Sequence, residues 1–143
     1  MRKKYIFFGI GLLLLILAAK AIYVVYKPHG NVSSDQSEAT LDAVSFFSDF
    51  QQDETGANKK WVGKVISVYG KIAGVSGSGQ YVSVLLQAGT DGGINCSLLK
   101  SDLKNENKLM PGDSIAIKGK CTGYLIDVNL VDCIILTQNE KVP

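Results

Sequence analysis

Cys96, Cys121 and Cys133 are the three cysteines of a 143-residue chain whose single histidine is His29. Thiolate and imidazole groups build structural zinc sites when they come in close pairs such as C-x-x-C. No such pair occurs, so the sequence predicts no metal. A serine or cysteine nucleophile needs a base within reach, and His29 stands apart in a polar, turn-rich stretch. Asp127 and Asp132 are five residues apart on one apparent strand, where alternation sends them to opposite faces. That is unlike a cooperating carboxylate pair. Gly74-x-x-Gly77-x-Gly79 is glycine-rich, but no helix N-terminus follows it to cradle a phosphate, so it reads as a hairpin. The expectation is a protein with no catalytic residue, metal or cofactor, and therefore not an enzyme.

The cysteines have a second reading. An oxidising compartment would permit one disulfide. Cys121 and Cys133 flank the connection between the last two strands, and pairing across it would bring them close. Cys96 is the rival partner, and three buried thiols are the alternative. Binding chemistry is carried by lysines: Lys64, Lys71, Lys118 and Lys120, with Lys59 and Lys60 nearby, form a basic patch if the first and fourth strands adjoin. Tyr81 is the one aromatic on the second and third strands able to stack on a base. Lys64, Lys71, Tyr81, Lys118 and Lys120 are thus the candidate binding surface, with a solvated strand face as the plainer reading.

These residues sit on recognisable elements. Ser37 to about Gln52 has helical spacing, with Leu41, Val44, Phe47 and Phe50 near one face. The expectation is that this helix closes one opening of its own barrel through Val44, Phe47 and Phe50. Asp53 to Asn58 then reads as a turn. From Trp61 the period becomes two, giving a long first strand to about Ala73, with Gly70 and Gly74 where it can coil. Ser76 to Gly79 makes a hairpin loop. Strands follow over residues 80–87, 94–98, 114–121 and 127–136, with a short helical stretch in 100–108. Strand, strand, strand, short helix, strand, strand is the order of a five-stranded OB-type barrel. The fold class is all-β with a preceding helix.

Residues 1–26 are of another kind. Arg2-Lys3-Lys4 precedes an uncharged run from Tyr5 to Ala19, and apolar residues resume beyond Lys20 to Tyr26. This is about the ~20 residues that a bilayer core requires, with the basic end expected inside the cell. The expectation is a transmembrane helix holding the rest on the periplasmic side of the cytoplasmic membrane. The alternative is secretion after cleavage at Ala19-Lys20-Ala21. Residues 27–37 read as a linker, 38–136 as the folded domain and 137–143 as a polar tail. Setting aside Arg2, Lys3, Lys4 and Lys20, 11 basic residues face 13 acidic ones. The exported part lacks the basic excess that phosphate backbones demand.

Asn58 to Ile72, with the sequence Asn-Lys-Lys-Trp-Val-Gly-Lys-Val-Ile-Ser-Val-Tyr-Gly-Lys-Ile, resembles the start of the OB domains called tRNA-anti-like. Pro111 to Gly123, with its G-D-x-I-x-I-x-G-x-C-x-G pattern, and Asp127 to Cys133, with D-V-x-L-x-x-C, agree. The likeness covers roughly residues 39 to 136 and implies the barrel, not a tRNA ligand, because sites rather than folds fix function. Many members are similar in carrying a leading hydrophobic segment. Partners are expected to be the lipid bilayer, through the leader, and an envelope protein or polymer. The functional expectation is a membrane-anchored extracytoplasmic binding module. The alternative, a single-stranded nucleic-acid-binding domain, rests on fold analogy.

Overall fold

The computed structural model describes Leu15, Ile16, Ala18, Lys20, Val32 and residues 34–103 and 109–136. The chain divides into two compact units, Met1–Gly30 and Asn31–Pro143. In the first unit the four described residues are helical. Among the described residues no helix is long and apolar enough to cross a membrane. The rest of the anchor expected over residues 1–26, and the tail expected over 137–143, lie outside the described residues.

The second unit opens with a short strand, β1 (Ala39–Asp42), where a continuous helix from Ser37 was expected. Its residues run parallel to the first barrel strand, Ala39 opposite Ile66 and Asp42 opposite Tyr69. Helix α1 (Ala43–Gln52) starts only after Asp42, whose carboxylate accepts the Ser45 amide at 2.9 Å. A side chain that satisfies an orphan N–H fixes a helix start more firmly than apolar spacing does. The Ser45 hydroxyl and amide hydrogen bonds also hold the Asp42 carboxyl below its ordinary pKa.

The expected turn after Gln52 is instead a second helix, α2 (Glu54–Trp61), capped by Asp53 through the Gly56 amide at 2.9 Å. Ala57 and Trp61, one turn apart, are its buried residues. Asp49 pins the two helices together, accepting Trp61 Nε1 at 2.9 Å and Lys60 Nζ at 3.1 Å.

Five strands form the barrel: β2 (Val65–Ser78), β3 (Tyr81–Gln87), β4 (Gly93–Leu99), β5 (Ser114–Tyr124) and β6 (Val128–Ile135). They follow the order β2-β3-β4-β6-β5, and a β2–β5 pairing closes the ring. β2 is shared between neighbours. Its first half lies between β1 and β5, and from Ile72 onward it pairs with β3. A 3₁₀ turn, Lys100–Asp102, follows β4 where a short helix was expected; residues 104–108 lie outside the described set.

The inward positions fill the barrel with Ile66, Val68, Val84, Leu86, Ile94, Cys96, Leu98, Ile117, Val128 and Leu130, all at most 1% exposed. α1 plugs one end with Phe46, Phe47 and Phe50. Phe47 packs edge-on to Tyr124 and against Gly89 and Gly92 of the β3–β4 loop. Phe46 meets Trp61 edge-on, with ring centroids 5.7 Å apart. The expectation that Phe47 and Phe50 close the barrel holds. Val44 does not take part, being 58% exposed, because the inward stripe is Ala43, Phe46, Phe47 and Phe50, spaced i, i+3, i+4 and i+7, and Val44 falls beside it.

Candidate functional site

The predicted lysines divide. Lys64 pairs with Glu38 at 3.2 Å on the surface. Lys118, only 7% exposed, donates from Nζ to the Asp35 carbonyl at 3.1 Å. Ser67 lies opposite Lys118 on β2 and is likewise buried. The segment before β1 therefore lies on the outer side of β2 and β5, fixed also by the Glu38 amide donating to the Val65 carbonyl at 2.9 Å. So the C-terminal part of the expected linker is part of the domain. Lys120 stays exposed on the same side of β5 as Lys118. Lys71 lines a separate open cleft of about 460 Å³ with Asp42, Val44, Tyr69 and Thr90, where β2 changes partner from β1 to β3. The structure does not gather the five residues into one surface.

Tyr81 lies elsewhere, on the outer side of β3. Strand alternation puts Val82, Val84 and Leu86 inside, so Tyr81, Ser83 and Leu85 face out. On β4 the outward residues are Asn95, Ser97 and Leu99, and on β6 Asn129. The register sets Tyr81 opposite Leu99, Ser83 opposite Ser97, Leu85 opposite Asn95 and Asn95 opposite Asn129. A row of hydrogen bonds crosses the three strands. The Ser83 hydroxyl donates to Asn95 Oδ1, Asn95 Nδ2 donates to Asn129 Oδ1 at 3.2 Å, and Asn129 Nδ2 donates to the Asp127 carbonyl at 3.0 Å.

Two loops frame this face. The β2–β3 hairpin is longer than expected, turning only at Gly79-Gln80, with Gly79 in the left-handed region at φ 56°. Lys100 Nζ donates to the Gly79 carbonyl at 2.7 Å and braces its tip. Across the face, the β5–β6 loop exposes Leu125 (85%) and Ile126 (72%). Asp127 ties that loop down by accepting the Gly93 amide at 2.8 Å. Its carboxylate is structural, and no metal-holding group of three or more His, Cys, Asp or Glu side chains occurs among the described residues.

The cysteines are free, buried and inside the barrel. Cys121 registers with Leu130 rather than with Cys133. A bulge at Asp132, a non-glycine residue at φ 53°, shifts the phase of β6 and turns Cys133 inward, opposite Leu98. Cys133 thus comes beside Cys96, the rival partner, and not Cys121. Its sulfur also fills the space that a side chain at Gly119 would need. The Cys133 hydrogen bond, and then burial, push the Cys96 thiol well above its ordinary pKa. Burial pushes Cys121 up as well, opposed by a hydrogen bond from the Gly123 amide. Such thiols are held protonated and are poor nucleophiles.

The sequence pattern of the tRNA_anti-like family matches residues 1–135. The chain belongs to this family. Among solved structures it is similar to a candidate nucleic acid-binding lipoprotein from Klebsiella pneumoniae, with a TM-score of 0.57 and 20% identity over 77% of this chain and 99% of that one. The Stn1–Ten1 complex of S. pombe is matched at TM-score 0.41 and 17% identity, over 53% of this chain and 61% of that one. An OBody bound to hen egg-white lysozyme is matched at TM-score 0.40 and 18% identity, over 53% and 83%. No curated protein matches the chain. At such identities the likeness to the Klebsiella structure shows the fold and nothing of its ligand.

Sequence reasoning placed Tyr81 on the face and missed Ser83, Asn95, Ser97 and Asn129. Each is a polar residue alternating with buried apolar ones, so its outward direction was legible. The barrel order also set the third strand beside the fifth, but not the register that lines up Ser83, Asn95 and Asn129.

Proposed function

We propose that this tRNA_anti-like domain is an extracytoplasmic binding module, held at the cytoplasmic membrane by residues 1–26, and not an enzyme. Its ligand lies across the outer side of β3, β4 and β6. One observation carries the reading: an uncharged polar row, Ser83–Asn95–Asn129, runs across three strands between two projecting loops, one of them tipped by exposed Leu125 and Ile126. Ligands of OB barrels commonly use this side of the second and third barrel strands with the flanking loops. The basic leader followed by about 20 apolar residues supports membrane anchoring with the domain exported. The buried, protonated thiols and the structural use of Asp127 support a binding rather than a catalytic role.

A second reading, single-stranded nucleic acid, is favoured by the description of the similar Klebsiella lipoprotein as a candidate nucleic acid binder. Against it, Lys64 and Lys118 hold the segment before β1 on another side of the barrel. Two measurements test the proposal. A periplasm-dependent phosphatase fused to the C-terminus should be active, and an inactive but stable fusion contradicts export. A photo-reactive residue at Ser83 in the full chain should trap a ligand in native membranes; no adduct overturns the assignment of the face.

A further inference from the structure

We propose that the β3–β4–β6 face takes an uncharged, hydroxyl-rich polymer, a glycan strand, and rejects polyanions. The inference rests on that face being the binding site. OB barrels bind either oligonucleotides or oligosaccharides there, and the charges around the face separate the two.

Polar side chains on the face itself are hydroxyls and carboxamides. Charges at its edges are mostly acidic: Asp91 in the β3–β4 loop, Asp127 beside Gly93, Asp132 in the β6 bulge and Asp102 after β4. Two lysines stand at its borders: Lys100 after β4, whose ammonium is bonded to Gly79, and Lys120 on β5, opposite Val131 at the β6 edge. A phosphate chain would meet this acidic rim without the row of cations that releases its counterions. A neutral polyol meets no such penalty.

The hydrogen-bond row suits the same ligand. Within it, Asn95 and Asn129 each use one amide hydrogen and one acceptor site. Each carboxamide has two of both, so each keeps one donor and one acceptor in a fixed orientation. A sugar hydroxyl also donates and accepts, so it can answer both at once, whereas a phosphate oxygen only accepts. Tyr81, set opposite Leu99, supplies an aromatic surface for the C–H side of a pyranose ring. Leu125 and Ile126 extend the apolar border at the other end.

The test is calorimetric titration of the full chain in detergent with chitohexaose, laminarihexaose and a twelve-nucleotide oligothymidylate. Binding of at least one glycan is expected, with an affinity unchanged between low and high salt, and no binding of the oligonucleotide. Tyr81→Ala should weaken the glycan about tenfold, the loss of roughly one good contact. Ser97→Trp, which blocks the face while leaving the amide row intact, should abolish binding with an unchanged melting curve. Salt-dependent oligonucleotide binding, or failure of both glycans, overturns the inference. An adduct trapped at Ser83 with both glycans silent would leave the face standing and remove only its ligand class.

Discussion

Two sides of one barrel use polar residues in opposite ways. On β2 and β5, Lys64 and Lys118 are spent on the chain's own segment before β1, through Glu38 and the Asp35 carbonyl. On β3, β4 and β6, Ser83, Asn95 and Asn129 bond one another and retain hydrogen-bonding capacity directed outward. Charge, the usual sign of a binding surface, marks the structural side here. The neutral side is the one with capacity left over.

That contrast assumes a rigid barrel beneath both sides, and the largest effect tests the assumption. Phe47→Ala removes an aromatic that is 1% exposed at the plugged end, and should cost about 3–5 kcal/mol in chemical denaturation. An unchanged curve would mean that α1 is not a plug. Lys118→Ala should come next, at about 1–3 kcal/mol, since it strips a buried stem and leaves the Asp35 carbonyl without its donor. Ligand binding by the opposite face should survive at temperatures where the variant is folded. A variant as stable as the parent, but defective in binding, would reverse the roles of the two sides.

Asp42→Ala should cost about 1 kcal/mol at neutral pH through loss of the α1 cap. The Asp42 carboxyl is held below its ordinary pKa by Ser45, so its stabilisation is present above the unfolded value and fades as pH falls through the folded one. The gap between parent and Asp42→Ala should therefore close in acid; a gap independent of pH would contradict an ionic cap. Lys64→Gln is the smallest, within about 0.5 kcal/mol, because the pair with Glu38 is exposed and screened. A larger loss would show that the segment before β1 is held chiefly by charge.

The barrel was legible because period-two alternation and the glycine-marked turns are local signals, although the alternation read from Trp61 becomes strand only at Val65. β1 was not, since four residues gain strand character only by pairing with Ile66 to Tyr69. α2 was hidden because Glu54 to Lys60 is polar, and its sole signals are the Asp53 cap and the Ala57–Trp61 spacing. The Cys121–Cys133 pairing followed from proximity to one connection, whereas the bulge at Asp132 changes the phase of the strand and carries Cys133 toward Cys96. The face was half legible: direction follows from alternation and the OB order sets β4 beside β6, but the register that puts Asn95 opposite Asn129 is a long-range pairing that composition does not encode.

The division between the two sides is tested most directly by moving one photo-reactive residue around the barrel in living cells. Placed in turn at Ser83, Asn129, Lys71 and Lys120, it should give adducts from Ser83 and Asn129 well above those from Lys71 and Lys120. Equal yields at all four positions, or stronger adducts from the two lysine positions, would contradict the account.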